Sequence, residues 1–170
     1  MLTLTLQKAT LQDVDIIWDI VQACSRSLVA KGFHNWTRYT KEKIENSFEN
    51  SEVYILIENE RAIGTVTVSE NTPSYYTKED MNHWADKTAP ALYFTTLAIV
   101  PTEQGKGYGS KLIEFAEEAC KKEHIPYLRM TSLYENTDLT NYYTKKGFGK
   151  VQTRLVEALN LTLNFYEKKI

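Results

Sequence analysis

Residues 97–111 read Leu-Ala-Ile-Val-Pro-Thr-Glu-Gln-Gly-Lys-Gly-Tyr-Gly-Ser-Lys, and they join an apolar run to an amphipathic one. The three glycines lie between a predicted strand, Leu92 to Val100, and a predicted helix, Lys106 to Lys122. Glycine lets a backbone approach a ligand closely, and the first N–H groups of a helix have no partner within it. These groups and the helix dipole together favour an anion such as a diphosphate at this junction.

The spacing of these glycines excludes two common nucleotide-binding motifs. The run Gly105-Lys-Gly-Tyr-Gly-Ser110 reads G-x-G-x-G-S. Dinucleotide-binding folds carry G-x-G-x-x-G, and phosphate-loop NTPases carry G-x-x-x-x-G-K-[S/T]. A glycine-rich turn that only joins a strand to a helix is the simpler structural alternative.

The rest of the chain alternates two hydrophobic periods, one typical of strands and one typical of helices. Helix N-caps are expected at Thr10, Thr40 and Asn136, and the first and last helices are expected to end at Gly32 and Gly147. This pattern gives the order β-α-α-β-β-β-α-β-α-β-β without a repeat, linker or composition break, and predicts a single α/β domain over residues 1–170. The predicted strands cover residues 2–6, 53–57, 62–68, 92–100, 126–132, 148–156 and 161–166.

Composition and charge limit the classes of partner. The chain has 170 residues, 42% of them hydrophobic, and a formal net charge of −2, so it lacks the cationic excess that binds phosphate backbones or anionic lipid. We therefore expect no nucleic acid and no membrane as partner. Met1 to Leu6 does not read as a signal peptide and no run is long enough to span a bilayer, so a cytoplasmic location is expected. Cys24 and Cys120 lie far apart without metal-ligand spacing, which predicts buried, reduced thiols and no metal site.

Two motifs in the expected order resemble the GNAT N-acetyltransferase superfamily. The run Gln104-Gly-Lys-Gly-Tyr-Gly109 matches that family's acyl-CoA signature, [Q/R]-x-x-G-x-[G/A]. Residues 136–148, Asn-Thr-Asp-Leu-Thr-Asn-Tyr-Tyr-Thr-Lys-Lys-Gly-Phe, are similar to the family segment N-x-x-A-x-x-x-Y-x-x-x-G-F, with Leu139 where a small residue is usual. The order of elements agrees over essentially the whole chain, and the motif matches fall within about residues 92–150.

The resemblance implies a fold and a cosubstrate. It implies a single mixed, largely antiparallel sheet flanked by helices, with acetyl-CoA between the strand ending at Val100 and the strand starting near Tyr127. Pantetheine would pair with the strand backbone, the glycine loop would hold the pyrophosphate, and Asn136 would contact the pantetheine arm. The implied cofactor-binding residues are Leu97, Ala98, Ile99, Gln104, Gly105, Lys106, Gly107, Tyr108, Gly109, Ser110 and Asn136.

Tyr143 is the implied general acid, placed by the resemblance beside the thioester sulfur. Amine attack expels a thiolate of pKa about 8.5, with Cys as the guide, and a tyrosine of pKa about 10 can hydrogen-bond to it and protonate it. Tyr143 also belongs to a set with helical spacing, which is the pattern of core residues. The set is Leu139, Tyr142, Tyr143 and Lys146.

The sequence does not single out one residue that would accept the proton of the amine substrate. An alkylamine of pKa about 10.4 must lose a proton before it attacks. Many family members use a carboxylate on the strand before the glycine loop, where this chain has Tyr93. Glu70 is the candidate base, and His83 or a water chain is the alternative.

Aromatic and histidine residues in unpatterned segments are candidates for an acceptor pocket, although each could equally be packing. The expected reaction is transfer of the acetyl group of acetyl-CoA to a primary amine, of a small molecule, by direct attack in a ternary complex. The alternatives are acetylation of a protein N-terminus or lysine, and a non-catalytic acyl-CoA sensor. The open sheet edge near the C-terminal hairpin could support a homodimer. The candidate acceptor-pocket residues are His34, Trp36, Tyr75, Tyr76, His83 and Trp84.

Overall fold

The computed structural model describes residues 3–170, so the strand prediction at Leu2 lies outside the described residues. The predicted order of strands and helices is confirmed. The strands are β1 Leu4–Lys8, β2 Glu52–Glu58, β3 Arg61–Ser69, β4 Ala91–Ile99, β5 Tyr127–Leu133, β6 Gly149–Val156 and β7 Leu161–Lys169. The helices are α1 Val14–Ala30, α2 Lys41–Ser47, α3 Tyr108–Lys122 and α4 Thr137–Lys145, with short 3-10 segments at Leu11–Asp13, Asp80–His83 and Pro101–Glu103.

The strands form a seven-stranded sheet in the order β1-β2-β3-β4-β5-β7-β6. The pairs β1–β2, β2–β3, β5–β7 and β6–β7 are antiparallel, whereas β4 runs parallel to β5. The expected mixed, largely antiparallel sheet is therefore confirmed. The sheet is not closed, and β1 and β6 are its outer strands.

The chain divides into two compact units, and the single-domain expectation stays a prediction. The first unit runs up to Ser69 and also contains Phe94–Ala116, and the second contains Glu70–Tyr93 and Glu117–Ile170. In the first unit, the apolar stripes of α1 and α2 pack on β2, because residues three and four apart share a helix face. This core consists of Ala9, Val14, Ile17, Val21, Ile44, Val53 and Ile55.

Local signals placed several helix ends correctly, although Thr10 caps the 3-10 segment Leu11–Asp13 that leads into α1. The Thr10 hydroxyl accepts a hydrogen bond from a backbone N–H of the first turn, and the Thr10 N–H donates to the Asp13 carboxylate at 2.8 Å, which completes a capping box. Thr40 caps α2 through its hydroxyl, which accepts a hydrogen bond from the N–H of Lys43 at 3.2 Å. Gly32 and Gly147 follow α1 and α4 with φ of +88° each, a left-handed conformation that ends a helix.

Three details differ from the sequence-based expectation. Leu4 is 41% exposed, so the alternating strand β1 is less buried than predicted, because it lies at the edge of the sheet. Strand β7 continues beyond Tyr166 to Lys169, because β5 pairs with it over that length. Helix α3 begins at Tyr108, two residues later than predicted, because Gly107 has φ +87°, outside the helical region.

Gly64 on β3 allows the close approach of β4 in the first unit. A Cβ at Gly64 would lie 2.6 Å from Cδ1 of Ile99 and 2.8 Å from the carbonyl oxygen of Ala98. The N–H of Val100 donates to the carbonyl of Ile63 at 2.9 Å, next to this contact. The end of β4 is therefore fixed against β3.

Replacement of Gly64 by alanine is expected to lower the free energy of unfolding by about 1–3 kcal/mol, because the new methyl must displace a backbone oxygen. Urea denaturation followed by circular dichroism measures this loss. Gly149→Ala is the matched control, since a Cβ at this strand position meets only the carbonyl oxygen of Glu167 at 3.7 Å. Equal losses in the two variants would contradict the prediction.

Candidate active site

The glycine loop leaves β4 through the turn Pro101–Glu103 and enters α3. Gly105 and Gly107 have φ of +78° and +87°, in the left-handed region that favours glycine. A Cβ at either position would meet no atom within 4 Å, so backbone conformation rather than crowding requires glycine. Residues 104–107 are exposed, and the loop therefore presents its backbone to solvent at the start of a helix.

The side chain of Gln104 connects the loop to the end of β4. Its Nε2 donates to the carbonyl of Ile99 at 2.9 Å, and Sγ of Cys24 donates to the same oxygen at 3.1 Å. The carbonyl of Ile99 thus already accepts two hydrogen bonds.

Charged side chains beside the loop are paired. Glu103 is buried and lies 2.6 Å from the ammonium of Lys106, and its other oxygen accepts a hydrogen bond from Arg61. The hydrogen bond from Lys106, with further help from Arg61, holds the pKa of Glu103 below its usual range. Tyr108 donates to the carboxylate of Glu58. Two carboxylates accompany the two cations, so these side chains add no net positive charge beside the loop.

Strand β4 contains a strained residue that no sequence pattern indicated. Thr96 has φ +49° within the strand, and for a β-branched residue this left-handed conformation is an outlier. Such strain costs about 1–3 kcal/mol and is typical of functional sites. Residues 95–97 are half-buried, whereas the flanking parts of β4 are buried, so the strand becomes accessible at this point.

The segment between α1 and α2 reaches the same part of β4 within the first unit. The hydroxyls of Tyr39 and Thr96 are 2.8 Å apart and share a hydrogen bond. The ring of Trp36 meets that of Tyr39 edge-to-face at 5.4 Å and packs against the cluster that contains Ala98. Trp36 therefore lies beside the end of β4, whereas His34, predicted for the same pocket, is exposed.

In the second unit, Asn136 and Thr140 fix the start of α4. The side-chain oxygen of Asn136 accepts a hydrogen bond from the N–H of Leu139 at 3.3 Å, which confirms it as the N-cap. The hydroxyl of Thr140 accepts hydrogen bonds from Tyr166 and Asn164, each at 3.2 Å. These bonds attach the first turn of α4 to β7.

Tyr143 projects from α4 into an aromatic cluster. It is 5% exposed, and its ring lies 5.3 Å from that of Tyr142 and 5.9 Å from those of Phe148 and Tyr166. Burial, with smaller contributions from Tyr142 and Tyr166, raises the pKa of Tyr143 well above its usual value. Tyr143 therefore keeps its proton at neutral pH.

Three of the candidate acceptor-pocket residues come together in the second unit. The ring of Tyr76 lies 5.1 Å from Tyr75, 6.1 Å from Trp84, 5.6 Å from Tyr93 and 5.0 Å from Phe165. Within residues 3–170, the Tyr76 hydroxyl and the Trp84 indole N–H are buried without a hydrogen-bond partner. This cluster therefore contains two buried hydrogen-bond donors, which a ligand atom that accepts hydrogen bonds could satisfy.

Arg129, which the sequence did not single out, joins this cluster. Its guanidinium carbon lies 4.4 Å from the centre of the Trp84 ring, and its Nε donates to Glu167 at 2.8 Å. It also donates to the Tyr93 hydroxyl at 3.2 Å and to the carbonyl of Asp86 at 3.0 Å. Tyr93 therefore supports the buried ion pair between Arg129 and Glu167.

The other candidate bases lie at the surface. Glu70 is exposed immediately after β3, and its role as proton acceptor stays a prediction. His83 is exposed at the end of the turn Asp80–His83, whereas the next residue, Trp84, is 3% exposed. The turn thus separates a solvated histidine from the buried aromatic cluster.

Asp80 attaches the aromatic segment to β6. Its carboxylate is 1% exposed and accepts hydrogen bonds from Nε of Arg154 at 2.6 Å, from Gln152 at 2.7 Å and from the N–H of Thr77 at 2.6 Å. Burial alone would raise the pKa of Asp80, but these hydrogen bonds outweigh it and lower the pKa to about 2. The folded state therefore binds the ionised form of Asp80 preferentially.

Asp80→Asn is expected to lower the free energy of unfolding by about 1–3 kcal/mol at pH 7, because it leaves Arg154 without its charge partner. The difference from wild type should shrink as the pH falls from 5 towards 2, since Asp80 in the unfolded chain then takes up protons that the folded state, with its lowered pKa, binds only near pH 2. Urea denaturation at a series of pH values measures both effects. Asp19→Asn, at an exposed position of α1, is the control for loss of one negative charge. A difference that does not depend on pH would contradict the prediction.

Both cysteines are free and buried, as expected. Burial raises the pKa of Cys24 to about 11, and burial with the nearby Glu117 raises that of Cys120 to about 11, so both thiols stay protonated. Over residues 3–170, no cluster of three or more His, Cys, Asp or Glu side chains is arranged to bind a metal ion. In the same range, no helix combines the length and apolarity needed to cross a membrane.

Known proteins resemble this chain in sequence pattern and in fold. Residues 16–148 match the family model described as acetyltransferase (GNAT) family. No curated protein matches the sequence. A GNAT-family acetyltransferase from Listeria monocytogenes superimposes with a TM-score of 0.77 at 19% identity, covering 98% of this chain and 95% of that one.

Two further solved structures extend this likeness. A GNAT-family acetyltransferase from Elizabethkingia anophelis with acetyl-CoA bound has a TM-score of 0.69 at 15% identity, covering 98% of each chain. The ribosomal-protein-S18-alanine N-acetyltransferase from Escherichia coli has a TM-score of 0.70 at 13% identity, covering 99% of this chain and 94% of that one. At these identities, the likeness shows a common fold.

Proposed function

The chain belongs to the GNAT acetyltransferase family, and on that basis we propose that it transfers the acetyl group of acetyl-CoA to a primary amine of a small molecule. The observation that carries the proposal is the exposed glycine loop before α3. There, two left-handed glycines with open space beside them precede the N-terminus of a 15-residue helix. Such an N-terminus binds anions through its N–H groups and its dipole.

The residues of the first unit fit the phosphate end of acetyl-CoA. We assign the pyrophosphate to the loop 104–110, where Gln104 braces the backbone against β4. The backbone of Leu97 and Ala98 is assigned to pantetheine, because β4 is half-exposed around Leu97. In the second unit, the amide nitrogen of Asn136 is assigned to the pantetheine arm, since its oxygen is occupied by the cap of α4.

Acetyl transfer forms a C–N bond and breaks a C–S bond, and residues of this chain would donate hydrogen bonds to the reacting atoms. Acetyl-CoA supplies an activated acyl group as a thioester. The C–N bond forms as the C–S bond breaks, the strand N–H at Leu97 would donate to the acyl oxygen, and Tyr143 would donate to the departing sulfur. An ordinary tyrosine already has a higher pKa than a thiol, and burial raises the pKa of Tyr143 further. The main contribution of Tyr143 is therefore a hydrogen bond to the sulfur as negative charge develops there.

The residues that would contact and deprotonate the amine substrate form no recognised motif. Glu70 is the proposed proton acceptor, and because it is exposed, water can relay the proton to it. We assign acceptor contacts to Trp36 in the first unit and to Tyr75, Tyr76 and Trp84 in the second. The exposed His34 and His83 remain candidates for the outer part of the acceptor site. The cytoplasmic location and the homodimer also stay predictions.

A non-catalytic acyl-CoA sensor is the second candidate function. The observation that favours it is Tyr93, whose hydroxyl accepts a hydrogen bond from Arg129 at 3.2 Å and is therefore not placed to act as a base. A sensor would bind acetyl-CoA with the same loop but would release no CoA in the presence of amines.

Calorimetry of acetyl-CoA binding, followed by an amine screen, tests the proposal. The screen measures free thiol released with polyamines, amino acids, aminoglycosides and peptides that carry a free N-terminus or lysine. We expect micromolar binding and thiol release with one class of small amine. Failure of the folded protein to bind would overturn the proposal, and binding without turnover would favour the sensor. Turnover with peptides alone would reassign the acceptor to proteins.

A further inference from the structure

The backbone conformation of Thr96 requires a stabilising partner. Its φ of +49° is strained for a β-branched side chain, and such conformations persist only where the surroundings hold them. Thr96 directly precedes Leu97, so its conformation sets the direction of the peptide group between them. A change at Thr96 would therefore re-aim the N–H of Leu97.

The hydroxyl of Tyr39 is the partner that the structure shows. It lies 2.8 Å from Oγ1 of Thr96, although the two residues are 57 positions apart in the sequence. Burial raises the pKa of Tyr39, so its hydroxyl remains protonated and available for this bond.

The ring of Tyr39 is itself held in place. Tyr39 immediately precedes Thr40, the N-cap of α2, and Ile44 is the fourth residue of that helix. Both Tyr39 and Ile44 pack in the same core cluster, which is the arrangement of a hydrophobic staple. The edge-to-face contact with Trp36 at 5.4 Å holds a second side of the ring. The hydroxyl therefore comes from a rigid part of the first unit.

We propose that Tyr39 is a positioning residue that fixes the strained backbone at Thr96 and thereby aims the N–H of Leu97 at the acyl oxygen. This inference rests on the proposed function. Tyr39 touches neither the acyl group nor the amine in this scheme and acts through Thr96. Polarisation of an acyl oxygen requires donors in a fixed direction, so a loosened Thr96 would weaken the reaction more than the binding of acetyl-CoA.

Single-hydroxyl variants isolate this role. Tyr39→Phe keeps the ring in the core and removes only the hydroxyl, and Thr96→Val keeps the branched shape and removes the other hydroxyl. Thr96→Ser is the conservative variant that retains the hydrogen bond. Tyr54→Phe is the matched control, because its hydroxyl donates at 2.6 Å to Glu52, whose side chain is exposed.

Kinetics and a double-mutant cycle give the first result. We expect kcat to fall about 10- to 100-fold in Tyr39→Phe and in Thr96→Val, with the KM for acetyl-CoA within about threefold of wild type. The double variant should be no slower than either single variant, because both remove the same bond. Thr96→Ser and Tyr54→Phe should keep kcat near that of wild type.

An infrared measurement gives a second result that does not need turnover. The measurement uses acetyl-CoA labelled with carbon-13 at the acetyl carbonyl. The carbonyl band of the bound, labelled compound should lie at lower frequency than that of the same labelled compound free in solution. Tyr39→Phe should lose most of this shift while calorimetry shows unchanged affinity. A merely structural role would instead lower thermal stability and affinity together.

The outcomes separate this inference from the proposed function. Wild-type kcat and an unchanged carbonyl band in Tyr39→Phe would overturn the inference alone, as would additive losses in the double variant. Failure of the wild-type protein to bind acetyl-CoA would overturn the proposed function, and the inference with it. Loss of kcat that Thr96→Ser does not share, with affinity retained, would support the inference.

Discussion

Gly107→Glu should reduce the affinity for acetyl-CoA at least about 100-fold, equivalent to about 2.7 kcal/mol. Gly107 adopts φ +87° in the exposed loop before α3. Glutamate would oppose this conformation and place a negative charge where the proposed diphosphate lies. Because a Cβ there meets no atom within 4 Å, the side chain fits without disturbing the core, and its effect should fall on the ligand.

The control for this variant is unusually close in backbone geometry. Gly32 has φ +88°, is exposed and also has no atom within 4 Å of a Cβ, but it lies after α1 rather than in the glycine loop. Gly32→Glu should therefore impose the same strain and charge with wild-type affinity for acetyl-CoA. Calorimetry of both variants, with thermal melts to verify folding, gives the comparison. Equal affinity losses would show that strain or net charge, rather than a blocked site, is responsible.

Features set by neighbouring residues were predictable from the sequence. The capping box of Thr10 and Asp13 forms within one turn, and the glycine loop lies between a strand and a helix as its sequence indicated. The motif at 136–148 likewise predicted a capped helix that carries Tyr143. In each case the interaction that decides the structure spans only a few residues.

Features set by distant residues were not predictable. The pair Thr95-Thr96 reads as ordinary strand sequence, and the conformation of Thr96 becomes intelligible only beside Tyr39. Gly64 likewise appears as a break in a β-branched run until the end of β4 is found against it. A single sequence contains no signal for contacts between elements so far apart.

The cluster around Arg129 shows the same limit on the acceptor side. Trp84, Tyr93 and Glu167 lie in different parts of the chain and surround one guanidinium. The sequence suggested aromatic residues for a pocket but not the cation among them. It also offered Tyr93 only as a missing base, whereas the structure gives its hydroxyl a role as hydrogen-bond acceptor for Arg129.

Tyr143→Phe should lower kcat about 100- to 10,000-fold while leaving the affinity for acetyl-CoA little changed. The variant keeps the ring among Tyr142, Phe148 and Tyr166, so packing and thermal stability should be nearly preserved. It removes the hydroxyl that would donate a hydrogen bond to the departing sulfur. Steady-state release of CoA with the best amine from the screen, combined with calorimetry of acetyl-CoA binding, measures the two effects separately.

Tyr142→Phe is the control, because Tyr142 is the neighbouring residue of α4 and is only half-buried. We expect its kcat to stay within about threefold of wild type, as is usual for a change away from the reacting atoms. The pH profile adds a second criterion. Since burial raises the pKa of Tyr143 well above its usual value, wild-type kcat should show no loss attributable to tyrosine ionisation up to about pH 10. Unchanged kcat in Tyr143→Phe would leave Tyr143 as a core residue and assign the sulfur's proton to solvent.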